Sequence, residues 1–113
     1  MSERRRLPDR RESITYDVLA FNLLFTVTAS PFDDGSPGEL FIQNHKAASS
    51  AGIMASDSAI AASLALQYGC PADVLRKALS RDARGAPTGP LGVALDMLAS
   101  AKPITSDKQE VQP

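Results

Sequence analysis

The sequence predicts an α+β domain, a three-stranded antiparallel meander followed by a long helix and two shorter helices packed on one face. Three observations lead there. Residues 13–31 are rich in β-branched and aromatic side chains that alternate with period two, as half-buried strands do. Beyond His45 the apolar spacing changes to that of a helix. The strands come first and the helices after, the order of segregated α+β folds and not of alternating parallel ones.

In the first strand pair, Ile14, Tyr16 and Val18 alternate with Thr15, Asp17 and Leu19. Leu23, Phe25, Val27 and Ala29 alternate with Leu24, Thr26, Thr28 and Ser30. Strands over 13–19 and 23–31 are expected, joined by a tight connection near Phe21-Asn22 that lacks the usual Asn-Gly signal. "PFDDGSPG" is the strongest turn cluster of the chain, and "ELFIQN" follows as a third strand. Ile53, Asp57, Ile60 and Leu64 fall on one face of the long helix, with Met54, Ala61, Ala65 and Tyr68 adjoining; the first set reads as its apolar, inward stripe. Ser49 or Ser50 can cap its start and Gly69 can end it. A second helix opens at Pro71, with Val74, Leu75, Ala78 and Leu79 as its buried stripe. A third covers "LGVALDMLAS", with Leu91, Ala94, Leu95 and Leu98 inward. Residues 1–12 read as a flexible Arg-rich arm, 13–100 as the domain and 101–113 as a disordered tail.

The chain has 113 residues, enough for one hydrophobic core. Its formal charge of −1 gives no general attraction to nucleic acid or anionic lipid. Five of its 12 basic side chains, Arg4, Arg5, Arg6, Arg10 and Arg11, gather in the arm. A nucleic-acid role is disfavoured and would rest on that arm. No run approaches the roughly 18 apolar residues of a spanning helix, and the Arg-rich start does not read as a secretory leader, so a cytoplasmic protein is expected. The lone Cys70 permits no internal disulfide and no cysteine-rich metal cage.

Several short motifs occur in order: "LPDRR" at Leu7 to Arg11, Asp33-Asp34-Gly35, Glu39-Leu40-Phe41-Ile42, His45-Lys46, Leu66-Gln67-Tyr68-Gly69 and Pro71. Together they resemble the TSCPD domain, the C-terminal module of adenosylcobalamin-dependent (class II) ribonucleotide reductases, over residues 6 to 98. Standalone versions of that domain exist, and the tail "RDARGAPTGPLGVALDML" looks more like those. The reductases carry an acidic residue and a glycine where this chain has Ala47-Ala48. The resemblance implies a place in deoxyribonucleotide synthesis and a reductase or a nucleotide as partner, with cobalamin only by family association. Ribonucleotide reduction needs a radical cysteine and a reducing pair of thiols, so a chain with one cysteine is expected to be non-catalytic alone.

Individual residues support smaller expectations. Lys46, Ser49 and Ser50 are candidates for a nucleotide or anion site, since a strand-to-helix junction can offer free N–H groups beside a cation, and Arg81 is a candidate as part of a basic edge with Arg76, Lys77 and Arg84; the plainer readings are helix capping for the serines and a solvated helix face for the basic cluster. Asp57, set on the apolar stripe between Ile53 and Ile60, needs a partner if buried. Arg76, Arg81 and Arg84 are the choices, and Arg76 is preferred. Cys70, before Pro71, reads as a small buried residue or as a reactive thiol at a helix start. One histidine gives no metal site. A structural homo-oligomer, formed through an exposed strand edge and the alanine-rich helix, is the alternative to a reductase-binding module.

Overall fold

Alternation along the first two strands dictates which way the sheet faces. The computed structural model describes residues 3–45 and 49–100. Its sheet has the order β1 (Ile14–Ala20), β2 (Leu23–Pro31), β3 (Pro37–Asn44), all antiparallel. Tyr16, Phe25, Val27, Ala29, Leu40 and Ile42 are buried on the inner face. Burying side chains as large as Phe25, Leu40 and Ile42 stabilises the fold by about 1.5–3 kcal/mol each. Ala20 pairs with Leu23, so Phe21 and Asn22 form a two-residue connection. Both have positive φ, 56° and 60°, as a type I′ hairpin turn requires. In the β2–β3 turn, Asp34 Oδ1 accepts hydrogen bonds from the backbone N–H and the hydroxyl of Ser36, which hold its carboxyl below the ordinary range.

Helix α1 (Ser50–Gln67) lies against this sheet, mainly along β3. Ser49 caps it, its Oγ accepting the N–H of Gly52 at 3.0 Å. Gly69, at φ 106°, takes the left-handed conformation after its end. The face that packs inward is not the one the aliphatic spacing suggests. Ala55, Ala59, Ala62, Ser63, Leu66 and Gln67 are buried, whereas Ile53, Ile60 and Leu64 face out. The reason is steric. The sheet already supplies the bulk with Phe25, Leu40 and Ile42, so the helix approaches closely only through small residues.

α2 (Ala72–Ala78) is short and has no fully buried residue. Leu75 and Leu79 are half-buried as expected, but Val74 and Ala78 are exposed, because α2 lies at the margin of the core. The helix stops where Leu79 turns extended. α3 (Pro90–Ser100) buries Ala94 and Leu95, with Leu91 and Leu98 partly buried against the same core. All three helices follow the meander, in the predicted α+β order. No described helix is long and apolar enough to cross a membrane.

The arm makes specific contacts with the domain. Arg4 Nε donates to Gln67 Oε1 at 2.7 Å, Arg5 N to Gln67 O at 2.6 Å, and Arg11 pairs with Glu39 at 2.9 Å. The Arg5 guanidinium stacks 3.8 Å from the centroid of the Phe32 ring. The tail at 101–113 lies outside the described residues.

Candidate functional site

The end of the sheet that carries the β1–β2 turn meets the start of α1 and the loop leading into α3. Between them lies an apolar cavity of 530 Å³, within the usual size range of small-molecule sites. Phe21, Leu23, Met54 and Leu91 supply apolar walls, and Ser58, Ser80 and Thr88 place hydroxyl-bearing residues there. Phe21 is notable because a bulky residue is uncommon at positive φ.

The cavity is bordered by Ala51 and Ser80, each one residue from a position expected to bind an anion. The expected side chains themselves are engaged elsewhere or lie outside the description. Ser49 is occupied by its cap and lies 3.5 Å from Asn44 Oδ1. Ser50 is the exposed first residue of the helix. Lys46 lies outside the described residues. Arg81 forms a two-pronged pair with Asp96, Nη2 to Oδ1 at 2.7 Å and Nη1 to Oδ2 at 2.9 Å, and also donates to Gly85 O at 2.9 Å.

Arg76 belongs to the same cluster. It reaches Asp96 Oδ1 at 3.3 Å and Asp73 Oδ1 at 3.4 Å, so the expected Asp57–Arg76 pair is replaced by Arg76–Asp96. Asp57 is exposed on the outer face of α1, which removes the need for an internal counter-ion. The Arg81 guanidinium, then Arg76, hold the Asp96 carboxyl below its ordinary value; Asp96 in turn raises the pKa of Arg81. This knot joins α2, the following loop and α3. Sequence reasoning missed Asp96, although Asp96 is the only charged residue of α3.

A second polar group went unnoticed. On the open face of the sheet, Thr26 Oγ1 donates to Asp17 Oδ1 at 2.9 Å and lies 2.7 Å from His45 Nε2. With its own proton directed to Asp17, the hydroxyl receives one from His45 Nε2. The imidazole therefore does not act as a base toward Thr26. The period-two pattern does place Asp17 and Thr26 on one face, and that was the available signal. Cys70 is half-buried, and the cap position of α2 is Pro71, not Cys70. Among the described residues no three His, Cys, Asp or Glu side chains are placed to hold a metal ion.

No family model matches the chain, and no solved structure matches it. Among curated proteins it is similar to vitamin B12-dependent ribonucleotide reductases. It is 38% identical over 73 residues to that of Bradyrhizobium diazoefficiens, 39% over 69 residues to that of Agrobacterium fabrum, and 36% over 72 residues to that of Rhodopirellula baltica. These matches cover 65%, 61% and 64% of this chain but only 6%, 5% and 7% of the respective reductases.

Proposed function

We propose that this chain is a reductase-associated module of the TSCPD kind, non-catalytic by itself, which binds a vitamin B12-dependent ribonucleotide reductase in deoxyribonucleotide metabolism. The observation that carries the reading is the 36–39% identity to segments of three such reductases. The proposed role is contact and not turnover, because the chain brings a single thiol, Cys70.

The test immobilises the chain and passes purified vitamin B12-dependent reductase over it, with and without nucleoside triphosphates. Saturable binding that survives washing at moderate salt is expected, with no deoxynucleotide formed by the chain alone. Absence of binding at micromolar reductase contradicts the reading.

A second reading, nucleotide binding, is favoured by the cavity beneath Phe21. Its apolar walls and hydroxyls suit a nucleobase. Nucleoside triphosphates at millimolar concentration should then raise the thermal midpoint of the wild-type chain, and less so that of Phe21→Asn. No rise in the wild type rejects this second reading and leaves the first intact.

A further inference from the structure

Helix α1 is apolar on both sides. Its inner face, of alanines with Ser63, Leu66 and Gln67, is spent on the sheet. Its outer face carries the larger side chains: Ile53 is 54% exposed, Met54 72%, Ile60 47%, Leu64 40%, and Tyr68 just beyond the end 42%. A helix that is hydrophobic all round belongs in an interior, and contiguous apolar surface of this kind marks an interaction site. The burial is therefore complete only on one side.

Asp57 stands within this outer face, with Ile53, Met54, Ile60 and Ala61 three and four residues away. It is the sole ionisable side chain between Ser50 and Gln67. That charge selects the occupant. If a second copy packed helix to helix across a two-fold axis, it would bring another Asp57 and no cation from α1, putting two carboxylates into one apolar contact. A surface of aliphatic residues with one arginine or lysine opposite Asp57 satisfies both the apolar area and the charge.

We infer that the outer face of α1 docks onto a protein surface of that chemistry, and that the surface belongs to the body of the reductase. The inference rests on the reductase-binding reading. The matched reductases are far longer than the segment they share with this chain, which spans 6% of the first, so ample partner surface exists to cover the face.

The experiment measures binding of purified vitamin B12-dependent reductase by interferometry. The panel is the full chain and the variants Ile60→Ser, Leu64→Ser, Asp57→Lys, Asp57→Asn and, on the open sheet face, Gln43→Lys. The first two should weaken binding about tenfold or more, as central apolar contacts do. Asp57→Lys should weaken it at least as much and Asp57→Asn less, while Gln43→Lys stays within about twofold of the parent. All substituted positions are exposed, and circular dichroism checks that each variant is folded. Tight binding that ignores the four α1 variants overturns this inference and leaves the functional reading standing. No binding by the parent overturns both. Concentration-dependent self-association abolished by Ile60→Ser assigns the face to a second copy and overturns the inference too.

Discussion

Ser63 Oγ lies 2.8 Å from the amide nitrogen of Leu40 and 3.0 Å from its carbonyl oxygen. The hydroxyl accepts the N–H, and its single proton is shared between Leu40 O and Ala59 O, the latter at 2.8 Å. Four residues on, Gln67 Nε2 donates to Gly38 O at 2.9 Å. Two polar side chains of an otherwise apolar helix face thus satisfy the outer edge of β3, which a neighbouring strand would otherwise seek. Ser63→Ala keeps the small volume and removes the bonds. It should cost about 1–3 kcal/mol through the unsatisfied Leu40 N–H, measured by urea denaturation. A loss below about 0.5 kcal/mol, the range of neutral surface changes, speaks against the edge-sealing role.

Gly38 sits where a side chain has no room. A Cβ there would stand 2.9 Å from Cδ1 and Cε1 of the Phe32 ring, which is itself covered by Arg5. Gly38→Ala should destabilise by about 1–3 kcal/mol, as overpacking does. It should also increase amide exchange at Arg5, whose N–H is held by Gln67 O. Unchanged exchange at Arg5 would show that the arm is anchored independently of the ring.

Phe21 at φ 56° carries strain that Asn or Gly would relieve. Phe21→Asn should raise the unfolding free energy by about 1 kcal/mol, even though it removes an aromatic wall from the cavity. Destabilisation instead would show that the ring's packing outweighs the backbone strain.

Acid stability should report on the Arg81–Asp96 pair. The folded-state pKa of Asp96 is lowered from 3.8, so its contribution is fully present above the unfolded value. It is lost as pH falls through the lowered folded value. Asp34 is shifted in the same direction and contributes to the same window. Between about pH 5 and pH 2 the urea midpoint of Asp96→Asn should therefore fall less steeply than that of the parent. Parallel curves would mean that the pair does not stabilise the fold in solution.

The meander was legible in the sequence because period-two alternation and hydrogen-bonded hairpins are local properties. The two-residue turn at Phe21-Asn22 was placed correctly without its usual signal. The inward face of α1 was not legible. Large aliphatics outrank alanine in any hydrophobic pattern, but the sheet, not the helix, decides how much volume remains between them, and that is non-local. Asp57 was read as needing an internal partner for the same reason: it was assigned to a stripe that faces out. Arg76 and Arg81 were singled out as charged residues, yet their common partner, Asp96, lies on an element 15 to 20 residues further along. Spacing alone gives no view of such a meeting.

The central claim is that this chain binds a reductase. Sedimentation velocity of the purified chain mixed with purified vitamin B12-dependent ribonucleotide reductase tests it most directly. The account predicts that the 12.0 kDa species is depleted and co-sediments with the reductase at a saturable ratio. Two boundaries that move independently at every concentration would contradict it.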